Sequence, residues 1–88
     1  MKIKNSFLLR KVADSYVVVP FGDENVDFNG MVTLNESGKF IWDLLEQEIT
    51  KEELLAKFIE EYQIPEADAK EDIRQFIQTL LDNNIMEL

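Results

Sequence analysis

The spacing of apolar residues changes near the middle of the chain. As far as Leu34 they come in short runs rich in β-branched and aromatic side chains; beyond Asn35 they recur as doublets four apart, the signature of one helical face. Phe7–Val12 and Tyr16–Phe21 are dense in strand formers, and Ala13-Asp14-Ser15 between them suits a tight hairpin connection. Val17, Val18 and Val19 offer apolar side chains to both faces of a sheet. Gly22-Asp23-Glu24-Asn25 reads as a polar turn. Met31–Leu34 is the third predicted strand. The Asn29-Gly30 pair before it fits either a hairpin from Val26–Phe28 or a bulge in one longer strand.

The second half predicts three helices. Asn35 can cap the first by accepting an orphan backbone N–H, and Phe40, Ile41, Leu44 and Leu45 give it an apolar face to about Glu46. Gly38 weakens its first turn, and Trp42 lies just off the apolar doublets, where a core role for the indole is favoured over a partner contact. Thr50-Lys51-Glu52-Glu53 has the form of a capping box. The helix it opens should bury Leu54, Leu55, Phe58 and Ile59, with Tyr62 as a further candidate. Pro65 suits the first position of a third helix, Glu66 and Asp68 its positive end, and Asn83-Asn84 its left-handed termination. Ile85–Leu88 is an apolar tail free to return to the sheet or the helices. The order β-β-β-α-α-α predicts an α+β fold, a three-stranded antiparallel sheet followed by three helices, within one domain spanning residues 1–88. Winged-helix domains use the same ingredients.

Two features of this layout are candidate binding surfaces. At 100° per residue, Ala69, Ile73, Leu80 and Asn84 fall within about 80° of Phe76 around helix three, while Ile77 lies near 100° and Leu81 near 140°. That stripe is wider than one neighbour requires. Leu81 either covers the C-terminal tail, or Ile77 and Leu81 line a groove with the stems of Lys70 and Arg74. The third strand is the other candidate. At a sheet edge its unpaired N–H and C=O groups would template an incoming strand, with side-chain pockets supplying the remaining affinity.

Composition removes most alternatives. The 88 residues contain no cysteine and no histidine, which excludes disulfides, thiolate-held clusters, Cys/His zinc sites and His-assisted nucleophilic catalysis. Neither an enzyme activity nor a metal or other cofactor is expected. No apolar run approaches the roughly 20 residues of a membrane helix, and no signal-peptide core follows the charged N-terminus, so a cytoplasmic protein is expected. The net charge is −9, and four cations within residues 1–11 leave the remainder still more acidic. A phosphate backbone repels such a surface, so nucleic acid is not an expected partner.

The Met31–Leu45 junction resembles the PqqD family, small proteins related to coenzyme PQQ synthesis protein D. The resemblance is carried by Leu34-Asn35-Glu36-Ser37-Gly38 followed by Phe40, Trp42 and Leu45. It continues through Glu60-Glu61-Tyr62-Gln63-Ile64-Pro65 and through Asp72 four residues before Phe76. It implies a winged helix-turn-helix-like domain, the RiPP recognition element, where RiPP denotes a ribosomally made and then modified peptide. Such modules hold the leader segment of a precursor peptide as an added strand and present its core to a modifying enzyme, often a radical S-adenosylmethionine enzyme. Carried onto this chain, Met31, Val32, Thr33 and Leu34 would give the edge. Ile73, Arg74, Phe76, Ile77 and Leu80 would give the wall and its charge. The flank of helix three that faces the peptide is open at this point: polar (Asp72, Gln75, Thr79) or basic-apolar (Lys70, Arg74, Leu81). An exposed edge could also pair with its own copy as a homodimer. Two competing functions are a winged-helix nucleic-acid binder and a carrier protein modified at Ser37. The first lacks a basic recognition helix. The second lacks the four-helix pattern and the Asp-Ser-Leu that acyl carriers show.

Overall fold

The computed structural model describes residues 1–20 and 32–87. Phe21, the Gly22–Asn25 turn, Val26–Phe28, Asn29-Gly30, Met31 and Leu88 lie outside the described residues. Among the described residues, five strands and three helices follow in the order β1 (Lys2–Ile3), β2 (Phe7–Val12), β3 (Ser15–Pro20), β4 (Thr33–Leu34), α1 (Glu36–Leu45), α2 (Lys51–Tyr62), α3 (Glu66–Asp82) and β5 (Met86–Glu87). The three predicted strands are β2, β3 and β4, joined as an antiparallel sheet in the order β2-β3-β4. β2 and β3 pair from Phe7↔Pro20 to Val12↔Ser15, closed by the two-residue turn Ala13-Asp14, where Ala13 takes a φ of 56°. Alternation turns Tyr16, Val18 and Leu34 into the core, while Val17 and Val19 stay half-buried on the other face.

The first two helices begin where their caps predict. The Gly38 N–H donates to Asn35 Oδ1 at 2.9 Å, and Ser37 Oγ donates to the same oxygen at 3.0 Å. Thr50 and Glu53 form the reciprocal capping box, with Glu53 N to Thr50 Oγ1 at 3.1 Å and Thr50 N to Glu53 Oε1 at 3.2 Å. Pro65 stands one position earlier than predicted, as the residue flanking α3 instead of its first member. Leu54 and Phe58 are the buried pair of α2. Leu55 and Ile59 are only half-buried, and Tyr62, expected as a further core candidate, is 38% exposed with its ring edge-on to Phe40 at 5.6 Å.

A second, two-stranded sheet adds to the three predicted strands. Lys2↔Glu87 and Ile3↔Met86 pair β1 with β5, bringing the two ends of the chain together beneath the helices. The connection follows from the end of α3. Asn84 adopts a φ of 59°, its N–H bonds the Leu81 carbonyl at 3.0 Å, and the Ile85 N–H bonds the Leu80 carbonyl at 2.8 Å. That is a Schellman motif, and its customary apolar contact is supplied by Leu80 and Ile85, both fully buried. The apolar tail therefore returns to a sheet and the core, and β1 receives it.

α2 also ends in a left-handed residue, Gln63 at φ 50°. A β-carbon is disfavoured there by about 1–2 kcal/mol, and glycine removes that cost while giving back part of it in chain entropy. Gln63→Gly should therefore stabilise the fold by about 0.5–1 kcal/mol, seen as a higher urea midpoint with an unchanged slope.

Candidate functional site

Among the described residues β4 has one neighbour, β3, and its other edge is open. The register decides which groups face outward. Tyr16 pairs with Leu34 and Val17 with Thr33, and the Val18 N–H bonds the Val32 carbonyl at 2.9 Å. Hydrogen-bonded and non-bonded pairs alternate along an antiparallel ladder, so Val32 and Leu34 turn their polar groups toward β3. Thr33 turns its N–H and C=O away from the sheet. Its side chain is exposed, while Val32 and Leu34 are 7% and 6% exposed and anchor the strand in the core.

The wall beside this edge is built at the first turn of α1. A β-carbon placed on Gly38 would lie 3.1 Å from Leu34 Cβ and 3.3 Å from Phe76 Cε2, so β4, α1 and α3 converge on this glycine. Phe76 is half-buried there, the point at which α3 reaches the Leu34 corner. Helical geometry sets Asp72 and Thr79, both exposed, within about 60° of Phe76 on the side away from Ile73. Gly38→Ala gains about 1 kcal/mol of helix propensity but overpacks a corner where Leu34 Cβ is fixed by its strand, a cost of about 1–3 kcal/mol. The net expectation is a less stable protein in a urea titration, with the largest chemical-shift changes at Leu34 and Phe76.

The nine residues expected to bind peptide separate into three groups. Val32, Thr33, Leu34 and Phe76 gather at the open edge; Met31 lies outside the described residues. Ile73, Ile77 and Leu80 are 5%, 6% and 0% exposed, and they back the wall from within the core. Arg74 is on the other side of α3. It and Ile77 line a groove of about 600 Å³ against α2, together with Lys51, Leu55, Lys70 and Leu81. The basic-apolar groove read from the sequence therefore exists, but α2 forms its second wall. Arg74 donates through Nε and Nη2 to the Glu71 carboxylate at 2.8 and 2.7 Å, which holds Glu71 below the usual carboxylate range. Gly38 stands at this corner without being among the residues that the sequence nominates for the site. Its signal was present, a helix-weakening glycine at the start of a predicted helix, where close approach of another element is the physical reason to keep one.

The rest of the local chemistry is structural. Lys39 bonds Asp43 at 2.6 Å, an interaction that raises the lysine pKa, and its ammonium sits 5.6 Å from the Tyr16 ring. The Ser37 hydroxyl is engaged at the α1 cap, as a first-turn residue would be. No helix among the described residues is long and apolar enough to cross a membrane.

Comparison with known proteins bears on the fold and the family. A solved structure described as TbiB1 in complex with the TbiA(beta) leader peptide superposes with a TM-score of 0.77, covering 99% of this chain and 95% of that one at 24% identity. It shares the fold. No curated protein matches in sequence. The sequence profile of coenzyme PQQ synthesis protein D (PqqD) matches residues 16–86, which include the β3–β4 pairing, all three helices and the start of β5. On that match, and with the fold it requires in place, the chain belongs to the PqqD family.

Proposed function

We propose that this protein captures the leader segment of a ribosomally made precursor peptide as an added strand on β4 and presents the rest of the peptide to a modifying enzyme. The observation that carries the reading is the outward-facing N–H and C=O of Thr33 beside the Leu34–Gly38–Phe76 corner. Family membership supports it, as does the shared fold of a protein solved with a leader peptide in place. The sheet has a second open edge among the described residues, β2, but that edge is a poor receiver. Its exposed residues include Arg10 and Lys11, the kind of charge that blunts edge pairing, alongside the exposed Leu8 and Val12.

Main-chain pairing supplies about 1 kcal/mol per hydrogen bond, too little to offset the ordering of a flexible peptide. The Phe76 wall provides apolar contact for alternate side chains of the incoming strand, and Asp72 and Thr79 provide a polar rim. No catalytic residue is required of this chain. A radical S-adenosylmethionine enzyme carrying its own clusters is the partner this role suits, since a chain without cysteine ligates no such cluster itself. Nucleic-acid binding is the weaker reading, because α3 presents Lys70 and a Glu71-paired Arg74 among five carboxylates. The test is a titration of the labelled protein with a precursor leader peptide. Amide shifts concentrated at Val32–Leu34, Gly38 and Phe76 support strand addition, and saturable binding that leaves them unmoved rules it out.

A further inference from the structure

The three-stranded sheet has a second face, turned away from the helices. Phe7, Tyr16, Val18 and Leu34 point into the core, so alternation sets Leu8, Arg10 and Val12 of β2, Val17 and Val19 of β3, and Thr33 of β4 on the opposite face. A half-solvated antiparallel sheet normally places polar residues outward. Here Val17 and Val19 are half-buried, and Leu8 and Val12 are 38% and 56% exposed. Strand propensity explains outward valines, but it does not explain the charge. Of the 18 acidic residues in the chain, none stands in β2, β3 or β4. Lys11 is on the core side, its ammonium 6.0 Å from the Tyr16 ring. Arg10 is therefore the one charge on the outer face among the described residues, and no carboxylate there pairs with it.

The register sets Arg10 in line with the open edge. Arg10 pairs with Val17 and Val17 with Thr33, a single row across the sheet. A strand added at β4 continues the row, and its residue beside Thr33 projects from the same face whichever way the strand runs. Strands about 4.8 Å apart put that residue's backbone about 14 Å from the Arg10 backbone. Extended arginine and glutamate side chains reach roughly 7 and 5 Å from their α-carbons, so their ends meet at about hydrogen-bond distance over the short Val17 and Thr33 side chains. Aspartate is one methylene too short. We propose that Arg10 is a specificity-determining residue, which selects a glutamate at the leader position beside Thr33. The place of the leader on β4 rests on the function proposed above; the row and its charge do not. The chain as a whole, at −9, attracts cationic peptides, so a preference for glutamate at one position is a local effect.

The probes are two synthetic extended peptides of one composition, each with a single glutamate and a single lysine. In one the glutamate lies beside Thr33 and the lysine is terminal; in the other the two exchange places. Cross-strand nuclear Overhauser contacts to Thr33 report the register, and protection of its amide reports binding. The first peptide is expected to bind about three- to tenfold more tightly, and replacing its glutamate by aspartate should remove most of that advantage. Arg10→Gln should abolish the preference and Arg10→Glu should invert it. The thermal midpoint should hold in both, because Arg10 is exposed and makes no bond that folding depends on. Equal affinities in the parent, or a preference that survives Arg10→Gln, would overturn the proposal while leaving strand addition in place. Failure of both peptides to protect Thr33 at millimolar concentration would remove strand addition as well.

Discussion

Thr33→Pro is expected to weaken leader binding at least about fivefold while leaving the fold intact. Proline removes one backbone N–H, and at Thr33 that donor points to the open edge and not to β3. Sheets tolerate proline where the lost N–H would face outward on an edge strand. The incoming strand is left with an unsatisfied carbonyl in a partly desolvated groove, a loss of about 1–3 kcal/mol, or roughly 5- to 150-fold in affinity. Steric intrusion of the ring adds to it. Val32→Pro is less informative, since Val32 is buried in the core and belongs to the pair that turns its polar groups toward β3, so its change disturbs the β3 ladder. Thr33→Ala keeps the backbone donor and should bind like the parent. The pair separates main-chain recognition from side-chain recognition, with leader affinity by calorimetry and thermal midpoints as the two readings.

Trp42→Ala is expected to be the most damaging single change to the fold. The indole is 1% exposed at the centre of the core shared by α1, the sheet and the other helices. Truncating a buried aromatic of this size costs about 3–5 kcal/mol, against a total of about 5–15 kcal/mol for a whole domain and less for one this small. The variant should lose amide dispersion and cooperative melting by circular dichroism at or near physiological temperature. Retention of a sharp melting transition close to that of the parent would show that the core is organised around other residues.

Features set by neighbouring residues could be read from the chain. The hairpin at Ala13-Asp14-Ser15, the Asn35 cap, the Thr50–Glu53 box and the buried period of α3 depend on contacts within a few positions, and the structure contains each, with Ser15 already in β3. The β1–β5 pair could not be read. Two-residue strands more than eighty positions apart leave no periodicity, and Lys2–Ile3 looks like an ordinary charged terminus. Only the α3 Schellman turn, which redirects Ile85 inward, brings them together. The facing of α3 was hidden for a similar reason. Its stripe is broad enough to serve two neighbours, and the angle at which α1 and α2 pack decides that Phe76 meets Gly38 while Arg74 meets the α2 groove. Tyr62 had the right spacing for the core but stands near the end of α2, where helical spacing alone does not guarantee burial.

Leader capture by strand addition requires Thr33 to hand its backbone to a foreign strand. Hydrogen exchange at the Thr33 amide, followed while a precursor leader peptide is titrated to saturation, reads that bond directly. Strand addition predicts that this proton, open to solvent in the free protein, becomes protected in step with occupancy. A saturated complex in which Thr33 exchanges as fast as before would mean that the peptide binds elsewhere and that β4 is not its template.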